Sequence, residues 1–350
     1  MSTVVGDPST RLAAWLQAQI GVDDVGVEGL ERVDFGHSAH MLTVTITTAR
    51  ERTDVVLRLR PPPPALLEPY DLPRQFRVLS ALRGTAVRAP NVLWLEESGD
   101  VLGQPFLVME RVPGDVYEME MPDGPGVTDT RIRRMCASMA EQLAAVHTVD
   151  LAATGLTDLG EGGDHLEREI TRWAEEMHRV QRGPLPALER LLAELRRTTP
   201  AQYPRVTLVH GDAKPGNFAF VGDEVSAVFD WELTTLGDPL TDLGWTELLW
   251  MQPVGLTSHP AAPSIDDFLA HYEAASGIRP RNRPWYRALN AFKMAVICLI
   301  GSMLYDSGAS DDERFLLNAH GISLLTQLGL ADLGVTEQLD DGPVLPASAR

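Results

Sequence analysis

The sequence predicts an α+β protein in two parts, a small and mostly antiparallel sheet followed by a larger, mostly helical region. Short runs rich in β-branched residues crowd the segment before Val112, and apolar residues recur at helical spacing from Arg131 onward. Between them, Val112-Pro113-Gly114 reads as a hinge. Alternation with a period of two marks a half-buried strand, whereas recurrence every three to four residues marks a helix with one apolar face. The expected division is a sheet lobe over residues 1–111, a helical lobe over 112–335 and a loose tail over 336–350. Such a plan leaves a cleft at the hinge, where ligands commonly bind.

Taken in order, Pro8–Ile20 places Leu12, Trp15, Leu16 and Ile20 on one helical face. Val33–Phe35, Met41–Thr48 and Thr53–Arg60 read as strands, with Leu42, Val44 and Ile46 alternating in the second. Proline cannot donate to a ladder, so Pro61–Pro64 ends the third strand. A helix follows over Leu72–Leu82 with Phe76, Leu79 and Leu82 inward, then strands over Val92–Glu96 and Pro105–Glu110. Beyond the hinge, Arg131–Val149 lines up Ile132, Met135, Cys136, Met139, Leu143 and Val146, with Thr128 as N-cap. Leu166–Gln181 and Pro186–Arg197 continue the helical run. A β-rich interval over Val206–Trp231 interrupts it. Helices resume over Leu240–Trp250, Ile265–Ala275, Pro284–Leu304 and Asp312–Leu328.

Composition narrows the function. A hydrophobic share of 44% and a charged share of 23% are globular proportions, so wholesale disorder is excluded. The formal net charge of -19 opposes binding to nucleic acid or anionic membranes; it could attract a cationic substrate, or simply keep the protein soluble. Met1–Ser9 lacks a basic stretch followed by an apolar core, so no signal peptide is expected. The most apolar run, Ala291–Leu304, contains Lys293 and is short for a bilayer, which makes it a core helix. Cys136 and Cys298 lie far apart in apolar patterns, so a reducing, cytoplasmic setting is expected.

The chemistry concentrates in Leu208-Val209-His210-Gly211-Asp212-Ala213-Lys214-Pro215-Gly216-Asn217 and in Ala227-Val228-Phe229-Asp230-Trp231-Glu232. An apolar strand delivers His-Gly-Asp to a loop, and a second apolar strand delivers Asp230. Phosphoryl transfer needs a positioned nucleophile and neutralised phosphate charge, with little covalent work by the protein. Asn217 and Asp230 offer the hard oxygen ligands that magnesium takes. Asp212 offers a group to accept a hydroxyl proton. His210 reads as a brace for the loop, and Asp238 and Asp242 as structural groups capping the next helix. Trp245, Trp250 and Trp285 fall on helical stripes, as core residues do.

His210-Gly211-Asp212-x4-Asn217 with the later Asp230 resembles the aminoglycoside phosphotransferase and choline kinase superfamily, relatives of protein kinases. Leu236-Gly237-Asp238-Pro239-Leu240-Thr241-Asp242-Leu243 and Leu107-Val108-Met109-Glu110-Arg111-Val112-Pro113-Gly114 are similar to that family too. The resemblance implies a protein-kinase-like two-lobed fold and transfer of a phosphoryl group from ATP, or GTP, to a hydroxyl of a small molecule. It implies Asp212 as catalytic base, Asn217 and Asp230 as magnesium ligands, and Lys214 near the transferred phosphate. Adenine would meet the backbone of Glu110 and Val112, and the phosphates would meet Arg58 and Ser38.

Two positions depart from that pattern. Val55-Val56-Leu57-Arg58 carries arginine where such folds usually place lysine, and Gln75 stands where its glutamate partner is usual. Arginine spreads its charge over a planar fork, so the swap is not neutral. Glu68 or Asp71 are the acidic groups nearby in sequence that could orient Arg58. The turn Asp34-Phe35-Gly36-His37-Ser38-Ala39-His40 has a single glycine rather than a glycine-rich cradle. These departures keep a nucleotide-binding scaffold open as a rival, alongside a metal-dependent hydrolase built on His210, Asp212 and Asp230.

Overall fold

In the computed structural model, residues 7–33, 40–160, 164–337, 339 and 341 are described. They divide into two compact units, one of residues 1–84 with 89–113 and one of 85–88 with 114–350.

The first unit begins with α1 (Pro8–Ile20), capped by the Asp7 carboxylate, which accepts from Thr10 N–H at 3.0 Å. Its Leu12 and Leu16 bury fully against the sheet beneath. That sheet runs in the order β1 (Val25–Val33), β2 (His40–Thr48), β3 (Arg52–Leu59), β5 (Phe106–Glu110) and β4 (Val92–Glu96). Every neighbouring pair is antiparallel. Val44, Ile46, Val55, Leu57, Phe106 and Val108 meet on one face, as the period of two requires.

Three details differ from the expected elements. The first strand lies at Val25–Val33 rather than Val33–Phe35, and 34–35 fall outside the described residues. Its alternation is hidden by Gly26, Gly29 and a bulge between Glu28 and Glu31, which break the apolar rhythm. In α2 (Leu72–Leu82), Leu72, Gln75, Val78, Leu79 and Leu82 are buried, so Gln75 takes the inward place expected for Phe76. Asp71, not singled out as a cap, supplies the N-cap of α2, its Oδ1 accepting from Arg74 N–H at 2.9 Å.

The second unit starts with β6 (Asp115–Val116) and α3 (Asp129–His147). Thr128 caps α3 as its sequence implies, accepting from Arg131 N–H at 3.2 Å. Then come α4 (His165–Val180), α5 (Pro186–Arg197), β7 (Thr207–Val209), β8 (Phe218–Val221), β9 (Glu224–Val228) and β10 (Thr235–Gly237). The chain finishes with α6 (Leu240–Trp250), α7 (Ile265–Ser276), α8 (Arg283–Asp306) and α9 (Arg314–Asp332). Residues 85–88 join this unit because Arg88 is tied into it: its N–H donates to Gln142 Oε1 at 2.8 Å, and its carbonyl accepts from Val228 N–H at 2.6 Å.

Length and composition alone would let α8 cross a membrane, yet 78% of its apolar window is buried inside the fold. It packs against α4, α5, α6 and α9 as a core helix. Cys136 and Cys298 are buried and unpaired by disulfide, and burial pushes both thiols up to about 12. The expected loose end is partly held. Leu185 offers no side-chain cap to α5, and Asp341 Oδ1 accepts from Ala187 N–H at 2.6 Å instead.

Candidate active site

Two antiparallel pairings, one nested inside the other, assemble the site. The outer pair is β7 with β10, which sets Val209 opposite Thr235. The inner pair is β8 with β9, which sets Phe218 opposite Val228. His210–Asn217 and Phe229–Thr234 connect the two pairs, so both connections must lie at the same end. Phe229 N–H donates to Asn217 O at 2.8 Å and closes the gap between them.

His210 braces this join. It is fully buried, and its Nδ1 accepts from Asp212 N–H at 3.1 Å. With Nδ1 accepting, Nε2 carries the proton and donates to Phe229 O at 2.8 Å. Asp242, from α6, holds the strand end from behind. Its Oδ2 accepts from His210 N–H at 2.7 Å and its Oδ1 from Gly211 N–H at 2.8 Å. A buried imidazole, His147 on α3, adds Nε2–H to Asp242 Oδ2 at 3.0 Å.

Gly211 has φ of 85°, and a Cβ there would lie 2.4 Å from Leu233 O. Backbone cannot move aside cheaply, so Gly211→Ala combines left-handed strain with a clash. We expect that variant to lose about 2–3 kcal/mol of stability, read by denaturant unfolding. A midpoint equal to that of the parent would contradict it.

Asp212 is gripped from two sides. Trp245 Nε1–H donates to Oδ1 at 2.7 Å, and Asn217 Nδ2–H donates to Oδ2 at 2.8 Å. Asn217 Nδ2 also donates to Asp212 O at 2.8 Å. Both partners of Nδ2 are acceptors, so the amide orientation is fixed and its Oδ1 remains an acceptor. Burial pushes the Asp212 carboxyl above its ordinary range; Lys214 opposes this and Asp230 adds to it. Asp230 adopts φ of 67°, left-handed and uncommon for a non-glycine residue.

Lys214 Nζ donates to Glu118 Oε1 at 2.5 Å. Burial would lower its pKa, but the carboxylates of Asp212, Glu118 and Asp230 raise it, so it stays a cation. Among the described residues no group of three His, Cys, Asp or Glu side chains could hold a metal ion. A magnesium ion, which keeps several non-protein ligands, suits the smaller donor set of Asn217 Oδ1 and Asp230.

The remaining sequence candidates belong to the first unit. Arg58 is 8% exposed on β3, and its Nε donates to Tyr70 Oη at 2.6 Å. Glu68 accepts from Ala65 N–H at 3.2 Å, and Asp71 accepts from Arg74 N–H at the start of α2. A hydroxyl gave no signal as an arginine partner in the sequence. Tyr70→Phe is expected to cost about 1 kcal/mol in unfolding free energy, and an unchanged value would show the bond to be idle. Glu110 ends β5, its carboxylate accepting from Asn91 N–H at 3.0 Å and Asn91 Nδ2 at 2.9 Å, and Val112 follows two residues on. Ser38 lies outside the described residues.

Sequence reasoning missed Trp245, Glu118, Lys293 and His147 as neighbours of the site. A tryptophan or histidine on an apolar helical stripe reads as core, and Glu118 stands in a segment with no pattern at all.

Asp238 proves structural, its carboxylate accepting from Leu240 N–H at 2.9 Å, Tyr203 N–H at 2.6 Å and Tyr286 Oη–H at 2.8 Å. Residues 31–289 match the phosphotransferase enzyme family. Acyl-CoA dehydrogenase family member 10 of Mus musculus is 32% identical over 303 residues, 83% of this chain and 28% of that protein. Acyl-CoA dehydrogenase family member 11 of Rattus norvegicus is 30% identical over 289 residues, 79% of this chain and 37% of that protein. The chain thus spans about a third of the length of these curated relatives. A solved candidate aminoglycoside phosphotransferase from Ralstonia eutropha shares the fold at a TM-score of 0.76 and 26% identity, over 94% of this chain and 99% of that one. The aminoglycoside phosphotransferase APH(4)-Ia, solved with ADP and hygromycin B, shares it at a TM-score of 0.60 and 15% identity, again over 94% and 99%. With the family pattern covering most of its length on a kinase-like α+β fold, the chain belongs to the phosphotransferase enzyme family.

Proposed function

We propose that the protein transfers the γ-phosphoryl group of ATP to a hydroxyl of a small molecule, with Asp212 as the base. The observation that carries this reading is the fixed carboxylate of Asp212 beside Asn217, whose amide N–H is taken by Asp212 so that its oxygen remains an acceptor. In the step, the acceptor oxygen attacks the γ-phosphorus while its proton passes to Asp212. The bond to the oxygen bridging the β- and γ-phosphates breaks, and ADP leaves with that oxygen. Asn217 Oδ1 and the Asp230 carboxylate would hold magnesium, which when bound neutralises charge on the phosphate oxygens. Lys214, kept cationic by its acidic neighbours, balances charge that develops on the transferred group. Arg58, Ser38 and the Glu110 and Val112 backbone are the proposed nucleotide contacts, with GTP as the alternative donor.

The acceptor classes to try are aminoglycosides, amino alcohols such as choline, sugars and hydroxy amino acids. The net charge of -19 favours a cationic acceptor. Hydroxylated acyl thioesters join the panel because the curated relatives carry the name of the acyl-CoA dehydrogenase family.

The test is thermal unfolding with magnesium and ATP, GTP or ADP, followed by ADP release across the acceptor panel. Nucleotide at a hundred times its Kd adds about 2.7 kcal/mol of stability, so a clear rise in Tm is expected. No rise with any nucleotide overturns the reading. A rise without ADP release for any acceptor turns it toward a nucleotide-binding scaffold.

A further inference from the structure

The core helix α8 carries a charge in its apolar middle. Lys293 is 5% exposed. An ammonium withdrawn from water is tolerated only with close partners, and Lys293 has specific ones. Its Nζ donates to the carbonyl of Gly211, the residue before Asp212. The same atom lies 4.4 Å from the ring centre of Trp245 and 5.6 Å from that of Trp173. Trp245 in turn donates its indole N–H to Asp212 Oδ1 at 2.7 Å. Two short routes therefore join Lys293 to Asp212, one through the backbone and one through the indole.

Both routes add to the restraints that His210, Asn217 and Asp242 already place on the loop. Gly211 is left-handed, its N–H is fixed by Asp242, and its carbonyl is fixed by Lys293. A cation over an aromatic face is attracted by the ring quadrupole, more strongly when desolvated, so the ammonium also pins the plane of the Trp245 indole. The carboxylates of Glu169 on α4, Asp242 on α6 and Asp212 face Lys293, with Arg172 on α4 opposing them. Burial lowers the Lys293 pKa while those three carboxylates hold it up.

We propose that Lys293 is a positioning residue for phosphoryl transfer: its ammonium clamps the Gly211 carbonyl and the Trp245 ring, and through them fixes the carboxylate of Asp212. This rests on the reading of Asp212 as the base. Methionine at 293 fills the same volume but leaves the Gly211 carbonyl without its donor and the indole without its cation. Misplacing a catalytic group by about 1 Å costs about 100-fold in rate. A side chain that only packed the core would lower Tm and leave the rate constant alone.

The experiment compares Lys293→Met with the parent chain by two readouts. One is kcat and KM for ATP, from ADP release with the best acceptor of the panel or with water. The other is the Trp245 indole N–H resonance in a proton–nitrogen correlation spectrum, assigned with Trp245→Phe. The expected result is a fall of about 100-fold in kcat, a KM for ATP within about threefold, and a displaced indole resonance. A kcat within twofold of the parent, or an indole resonance that does not move, overturns the proposal. If the parent releases no ADP under any condition, the reading of Asp212 as base has failed, and the indole resonance alone still decides whether Lys293 holds the partner of Asp212. Should Lys293→Met not fold, Lys293→Gln supplies the same two readouts, since it keeps a donor for Gly211 and removes the charge.

Discussion

Asp212→Ala is expected to reduce phosphoryl transfer by about 10³- to 10⁴-fold while the nucleotide-induced rise in Tm stays within about 2 °C of the parent's. The base acts on the proton of the acceptor hydroxyl, so its removal is felt in the transfer step rather than in nucleotide binding. The geometry also explains why no neutral isostere substitutes. Asp212 accepts from Trp245 at one oxygen and from Asn217 at the other. Only a carboxylate presents two acceptors there, and an asparagine would turn an N–H toward one of those donors. ADP release and thermal unfolding on the same preparations separate the two effects. Turnover within tenfold of the parent would remove Asp212 from the mechanism.

Asp242→Ala is the variant with the largest expected cost in stability. One buried carboxylate accepts from His210 N–H, Gly211 N–H and His147 Nε2–H, and alanine removes the acceptor from all three, two of them on buried residues. Removing one partner from a buried charged network costs about 3–5 kcal/mol, which corresponds to a fall in Tm of roughly 10 °C. Activity should fall with it, because the same carboxylate holds the peptide before Asp212.

The effect carries a pH signature. Burial by itself would raise the Asp242 carboxyl, but the His147 hydrogen bond and charge, with His210 and the Gly211 N–H, hold it below its ordinary value. A depressed folded-state pKa contributes stability above the unfolded-state value and loses it as pH falls through the folded value. The parent should therefore lose Tm on acidification below the ordinary aspartate range, and Asp242→Ala should lose less over the same interval. Parallel Tm curves for the two proteins would show that Asp242 is not the group responsible.

Most elements were legible because their signals are local. The capping group at Thr128, the alternation of Leu42, Val44 and Ile46, and the stripe from Ile132 to Val146 each need only neighbours along the chain. The first strand was misplaced where glycine and a bulge erased that local rhythm, and β10 is too short to have one. Gln75 turned inward against its polarity because the α2 face is set by what lies beneath it.

The same boundary runs through the site. The sequence by itself determined the chemical groups: Asp212 and Asn217 on one short loop, Asp230 after an apolar strand, and a family resemblance dense enough to name the reaction class. Only the tertiary structure decided how those groups are held. The pairings of β7 with β10 and β8 with β9 bring Asp230 to the Asp212 loop, and strand pairing between distant segments leaves no mark in either segment alone. Asp242, Trp245 and Lys293 come from helices 32 to 82 residues away and are ordinary core or capping residues until their partners are seen. Their roles depend on distances of about 3 Å across packed helices, and such distances are fixed by burial of the whole core rather than by any pattern along the chain.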